Sequence, residues 1–273
     1  MTGDRWVEVA EGVLVRRHAE LDLCTGLVLG TDHCLVIDTG GDAQHGAELA
    51  AAVREVTADP WSVVLTHAHF DHSLGASAFL PAPVWAQAGC IGALRDGIDH
   101  QRAEWAAHYR KVGKSERAEA LLETKVVIPD HSVLDRVTMR VGDRKVEFRH
   151  FGPGHSDHDL VVHVPDARVV FAGDLVENGP KGSLTSESFD GETHLDQWPS
   201  ALDGILGLHP HIVVPGHGEP VDSSFVTEQQ KDLVALATLR EDVRTGRCTV
   251  DDALNRSRLA RETVQAALAA DDR

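Results

Sequence analysis

The sequence predicts a layered α/β sandwich. Short β-rich runs gather in two separate stretches of the chain, and helix-prone segments fall irregularly between and after them instead of following every strand. The chain also has 273 residues, 42% of them apolar and 25% charged. That suits one large core, or one domain with a small appendage, without covalent staples.

The elements follow in order. Trp6-Val7-Glu8-Val9 and Val13-Leu14-Val15 flank the turn Glu11-Gly12, and Gly26–Gly30 pairs with Cys34–Asp38 around Thr31-Asp32-His33. Thr39-Gly40-Gly41 breaks the pattern. The spacing of Ala47, Leu49, Ala50 and Val53 predicts a helix over 43–56, ending before Asp59-Pro60. Ser62–Thr66 is a short apolar run of the kind buried in a sheet, followed by a short helix over 73–80 and a strand at Val84-Trp85-Ala86. Residues 88–123 read as a polar helical insertion with a charged run at Arg110–Lys114. Strands resume at Thr138–Val141, Lys145–Arg149, Leu160–Val164 and Arg168–Phe171. A Gly/Ser/Glu-rich loop spans 178–194, then a helix 196–207 and a strand His211–Val214. The last 50 residues read as two helices, with Thr249 as an N-cap and Leu233, Leu236, Leu239 and Val243 at helical spacing. The expected division is a catalytic domain over 1–222 and a helical extension over 223–273 packed on it.

Composition removes several classes. There is no apolar run of membrane-spanning length, and the polar start from Met1 to Trp6 shows no secretory signal, so neither a membrane partner nor export is expected. A net charge of −17 argues against a nucleic-acid partner. Cys24, Cys34, Cys90 and Cys248 form no Cys-x-x-Cys pair, which suits a reducing, cytoplasmic setting. The unusual count is 17 His against one Tyr, and His is the commonest metal ligand.

Those histidines concentrate at Thr66-His67-Ala68-His69-Phe70-Asp71-His72, directly after the Ser62–Thr66 run. In an extended turn His67 and His69 point the same way, since side chains alternate. Two imidazoles can then hold one metal while Asp71 and His72 hold another. Zinc favours this His/Asp mixture. Gly154-His155-Ser156-Asp157-His158, Ala172-Gly173-Asp174 and Pro215-Gly216-His217-Gly218 each follow a strand-like run. Side chains placed there can converge on one edge of a sheet.

In these motifs, and in Asp38 of Val36-Ile37-Asp38-Thr39-Gly40, the chain resembles the metallo-β-lactamase superfamily over about residues 10–220. The resemblance implies a four-layer αββα sandwich with the metals on one edge. It implies a first metal on His67, His69 and His155, a second on Asp71, His72 and His217, and Asp174 bridging both. Asp38 would hydrogen-bond the metal loop without ligating. His158 stands where relatives often carry Gly, and reads as an outer support or a substrate contact.

Two zinc ions (alternatively Fe or Mn) so held would share a bridging hydroxide able to attack the carbonyl of a small ester, thioester, lactone or amide. Asp71 and Asp174 would be the catalytic carboxylates, with a metal-bound water, Asp71 or His158 passing a proton to the leaving group. The bridging Asp174 resembles the glyoxalase II-like members. β-Lactamases proper usually lack it, and lactonases use an active-site Tyr where this chain has only Tyr109, in the insertion. Residues 88–123, with Arg95, Arg102, Trp105, Tyr109, Arg110 and Lys111, read as a lid or a homodimer surface, and 178–194 as a second pocket wall. Two other classes stand beside the hydrolase. One is a mononuclear iron persulfide dioxygenase-like enzyme using His67, His155 and Asp174. The other is a non-catalytic metal-binding protein.

Overall fold

The computed structural model describes residues 5–270. One sheet runs in the order β1 (Trp6–Ala10), β2 (Val13–Arg17), β3 (Cys24–Leu29), β4 (Cys34–Ile37), β5 (Trp61–Val64), β6 (Val84–Gln87) and β7 (His131–Val133). The strands from β1 to β4 are antiparallel neighbours, and those from β4 to β7 are parallel. The second sheet contains β8 (Arg136–Val141), β9 (Arg144–Arg149), β10 (Val161–Val164), β11 (Val169–Asn178) and β12 (Ile212–Gly218), with β12 on the outside beside β11. Only the β11–β12 pair is parallel in this sheet.

The helices are α1 (Ala43–Val56), α2 (Phe70–Ser73), α3 (Ala88–Asp96), α4 (Ile98–Lys111), α5 (Ser115–Glu123), α6 (Trp198–Leu206), α7 (Ser223–Arg244), α8 (Val250–Arg256) and α9 (Arg261–Ala269). No helix among the described residues is long and apolar enough to cross a membrane.

Three separate cores show the layering. Cys34, Val36 and Val63 face α1 and the helices of the insertion, while Leu35, Ile37 and Val64 on the same strands face the other sheet. In the second sheet Val162, Phe171 and Val214 meet that middle layer, and Val161, Val170 and Val213 pack on α6, α7 and α9. Period-2 alternation with both faces covered explains why these strands read as continuous apolar runs. Each such Val or Leu contributes about 1.5–3 kcal/mol through burial. The architecture is the αββα sandwich.

Several elements differ from the sequence reading. The strand expected to stop at Phe171 runs to Asn178, because Gly173 adopts φ +54 in a register irregularity that lets pairing with β12 continue. The helix expected over 73–80 is the α2 turn followed by a 3-10 segment, Leu74–Phe79. The insertion holds three helices, separated by Gly97 and by Gly113-Lys114. The described part of the C-terminal region also holds three, since residues 257–260 divide α8 from α9. Strand β7 has three residues, too few for a periodic pattern. Thr249 caps α8 in a reciprocal capping box with Asp252.

Four strands of the two sheets bring polar side chains to one edge of the sandwich. Asp38 follows β4, and Thr66 begins the loop after β5. Asp174 lies inside β11 and His217 inside β12. A Leu23–His217 bridge and the Leu160 N–H to Thr66 carbonyl bond (2.7 Å) tie the two sheets together at this edge.

Candidate metal centre

The loop from Thr66 to Ser73 is held from every side. Asp38, at φ +60, accepts from the Thr66 N–H and the Thr66 hydroxyl, each at 2.8 Å. Thr39 N–H donates to the His72 carbonyl (2.8 Å), the Phe70 N–H to Gln101 Oε1 (2.7 Å), and the Ser73 hydroxyl to the His69 carbonyl (2.9 Å). His158 is buried beneath the same loop. Its Nε2 accepts from the Ala68 N–H (3.2 Å) and its Nδ1 donates to Asp157 (2.6 Å). Both ring nitrogens are therefore occupied, which removes His158 as a substrate contact or proton donor and makes it a support for the loop.

Four imidazoles share one orientation. His72 Nδ1 donates to Asp38 Oδ2 (2.8 Å) and His217 Nδ1 to the Leu21 carbonyl (2.8 Å). His155 Nδ1 donates to the Ser188 carbonyl (3.2 Å). Thr66 Oγ1 gives its proton to Asp38, so at 3.1 Å it accepts from His67 Nδ1. With Nδ1 protonated outward, each ring presents an Nε2 lone pair inward. His69 turns the other way: its Nδ1 lies 3.1 Å from His155 Nε2, and its Nε2 lies 3.2 Å from Asp190.

Asp174 stands between two groups of these atoms. Its Oδ2 is 3.6 Å from both His67 Nε2 and His155 Nε2, and 3.4 Å from His217 Nε2. Asp71 Oδ2 is 3.3 Å from His217 Nε2 and 3.6 Å from His72 Nε2. The potential donors fall into His67, His69, His155 and Asp174, and into Asp71, His72 and His217, with the donor atoms of each group within 4.8 Å of one another. A Cβ on Gly216 would sit 1.8 Å from Asp174 Oδ1, so only glycine leaves that carboxylate its place.

The donor set fits a pair of divalent cations. His67 Nε2 is buried with no hydrogen-bond partner. Asp174 Oδ1 makes no hydrogen bond although His72 Nε2 is 3.2 Å away. Buried donors converging in this way are costly unless protons or a shared metal cation lie among them. The local electrostatics point the same way. Burial holds His67 well below its ordinary value, with His72 adding to the effect. Burial also opposes charge on His72 and His217, but Asp174 and Asp71 outweigh it, raising His72 strongly and His217 to about 10. The carboxylates thus draw positive charge to this point.

The centre lies in a cleft of about 1160 Å³ reached by His69, Asp71, Asp174 and His217. One wall comes from the insertion through Gly97, His100, Gln101, Glu104 and Trp105, and the opposite wall from residues 178–180 and 185–192. Both segments singled out in the sequence therefore line the same cleft. Tyr109 does not. It is buried, with its ring centroid 6.4 Å from Phe70 and 5.9 Å from Trp105. Arg102 points back into the insertion, bonding the Leu121 and Thr124 carbonyls. Sequence reasoning missed Asp190, Gln101 and the Ser188 and Leu21 carbonyls. The last two are backbone groups that no residue type announces.

Known proteins share this plan. The model of the metallo-beta-lactamase superfamily matches residues 25–243. The probable metallo-hydrolase YqgX of Bacillus subtilis (strain 168) is 28% identical over 217 residues, 75% of this chain and 88% of that protein. The acyl-coenzyme A thioesterase MBLAC2 of Bos taurus is 30% identical over 171 residues, 56% of this chain and 58% of that protein. Among solved structures, the metallo-beta-lactamase from Pontibacter korlensis superposes with a TM-score of 0.65 at 20% identity, covering 84% of this chain and 98% of that one, a likeness of fold. With the family model spanning the second sheet, the first sheet from β3 onward and every residue of the two donor groups, the chain belongs to the metallo-β-lactamase superfamily.

Proposed function

We propose that the protein is a dinuclear metal-dependent hydrolase of small esters, thioesters, lactones or amides. The observation that carries the reading is the shared orientation of His67, His72, His155 and His217: Nδ1 tied to oxygen outside, Nε2 turned toward the Asp174 carboxylate at the floor of an open cleft. His67, His69 and His155 would hold one ion, Asp71, His72 and His217 the other, and Asp174 would touch both. When bound, two zinc ions (or Fe or Mn) supply a water acidic enough to ionise near neutral pH and a Lewis acid for the carbonyl. The chain's own residues do the rest. Asp38 and Thr66 fix the tautomers of His72 and His67. Asp71, whose carboxylate lines the cleft, is placed to take a proton from an incoming water and return it to the leaving group.

The hydrolase names of YqgX and the thioesterase MBLAC2 support this reaction class. A mononuclear iron enzyme using His67, His155 and Asp174 would leave Asp71, His72 and His217 converging for no purpose, and a purely structural site has no need of an open cleft. A small molecule is the partner the cleft suits. The thiols of Cys24, Cys34, Cys90 and Cys248 are free, which supports a reducing, cytoplasmic setting.

The test is metal content per chain in protein purified without added metal, followed by turnover of thioester, lactone and aryl ester panels. About two zinc per chain with turnover, abolished in a folded His69→Ala variant, is the expected result. About one iron with oxygen uptake on a persulfide would replace the reading. Metal binding without turnover of any substrate would leave a binding protein.

A further inference from the structure

The cleft walls are strongly one-sided in charge. Beyond Asp71 and Asp174, the carboxylates of Glu104, Glu177, Glu187, Asp190 and Glu192 line it, drawn from both walls. Among the described residues lining the cleft, Arg17 is the only Lys or Arg, and it is spent: it contacts Asp22 at 2.6 Å and Glu219 at 2.8 Å, both also at the rim. Histidines are the only other basic side chains among the described residues of the wall. Asp190 and Glu192 face His69 Nε2 at 3.2 and 4.0 Å, and Glu104 lies 3.5 Å from His100. The insertion wall adds the indole of Trp105, which packs on the buried Phe70 ring of α2 with centroids 4.8 Å apart.

Two proteins of equal fold could differ here. A site for carboxylate, sulfate or phosphate-bearing substrates needs a free Arg or Lys to meet the anion. This cleft offers acids and an indole face, which together attract cations. Resting on the hydrolase reading, we infer that the substrate carries a positive charge, an ammonium or guanidinium group set beyond the scissile carbonyl toward Trp105 and Glu104, and that anionic substrates are turned away.

The test uses three thioesters of one acyl chain, ending in trimethylammonium, tert-butyl or carboxylate. On the metal-loaded enzyme, kcat/KM for the ammonium substrate should exceed that for the carboxylate by about tenfold or more at low ionic strength, and salt should narrow the gap. Glu104→Gln with Glu187→Gln should cut the ratio about threefold or more. Equal or reversed preference, with turnover intact, overturns the inference and leaves the hydrolase reading standing. Calorimetric binding of phenyltrimethylammonium against benzenesulfonate needs no turnover. Tighter ammonium binding supports the charge preference even where no thioester is cleaved, and equal or tighter sulfonate binding overturns it.

Discussion

The Asp38 carboxylate lies 2.8 Å from His72 Nδ1, and the same carboxylate holds both the backbone and the hydroxyl of Thr66. One side chain thus sets the tautomer of a candidate ligand and the path of the loop that carries the others. Asp38 sits at φ +60 and is nearly fully buried. A non-glycine residue in that region costs about 1 kcal/mol or more, and three short hydrogen bonds offset it.

Asp38→Asn tests this arrangement. The amide keeps one acceptor for the Thr66 N–H but turns an NH2 toward His72 Nδ1. His72 must then accept at Nδ1 and carry its proton on Nε2, where a metal would bind. The affinity for zinc should fall about 10–100-fold, read by competition with a chromophoric chelator. Unfolding free energy should fall as well, by about 1–3 kcal/mol, read by urea titration. Unaltered zinc affinity would show that the tautomer is not set by Asp38.

Gly216→Ala probes the centre without touching a donor. The new Cβ would lie 1.8 Å from Asp174 Oδ1, so the carboxylate or the β12 backbone must move. Overpacking of this kind costs about 1–3 kcal/mol. The expected result is a folded protein whose imidazoles stay in place but whose hold on metal weakens where Asp174 serves both groups, measured as lower zinc stoichiometry with near-normal circular dichroism. Full stoichiometry would mean that Asp174 can be displaced without consequence.

These two residues also mark what a sequence reader can and cannot see. The His67–His72 run, His155, Asp174 and His217 are legible because each follows a strand-like apolar run, and parallel or sheet-bridging pairing then brings those strand ends together. Asp38 is legible for the same reason. Gly216 is visible only as part of a motif, since its role depends on the carboxylate opposite. The outer acceptors for His155 and His217 are carbonyls of Ser188 and Leu21, distant in sequence and independent of residue type. The end of β11 is hidden because Gly173-Asp174 reads as a turn, whereas the positive φ of Gly173 absorbs the irregularity within the strand. Loop composition points to the pocket walls, but the charge of the cleft emerges only with both walls in place.

Metal uptake should release protons. Without metal, Asp174 and Asp71 hold His217 at about 10 against the effect of burial, and His72 is raised in the same field. Both rings are then protonated at neutral pH, and a metal must displace those protons. Zinc added to chelator-stripped protein at pH 7.5 in weak buffer should release at least about one proton per chain, and the affinity should rise with pH up to about 10. Pure carboxylate binding would show almost no release above pH 6. Stripping should lower the melting temperature yet leave the sandwich folded, since the three cores contain none of the charged or imidazole donors.

A second histidine pair acts on stability with the opposite sign. His45 Nδ1 accepts from the Gly41 N–H, so His45 Nε2 donates to His18 Nδ1 at 2.8 Å, and His18 Nε2 in turn donates to Thr25 Oγ1 at 3.0 Å. The chain of bonds is complete only with both rings neutral. Burial, reinforced by His45 and Arg16, pushes His18 down to about 3. The unfolded chain binds this proton near pH 6.5, the folded chain only near pH 3. The stabilisation is therefore fully present above pH 6.5 and is lost progressively as pH falls toward 3, at about 1 kcal/mol per pH unit. Urea unfolding of metal-free protein between pH 7 and pH 5, compared with His18→Gln, isolates the effect from the metal-site histidines, whose shifts cancel in the difference. The variant should start less stable at pH 7 and lose less on acidification. Parallel pH profiles in the two proteins would show that His18 takes up its proton in the folded state as readily as in the unfolded one.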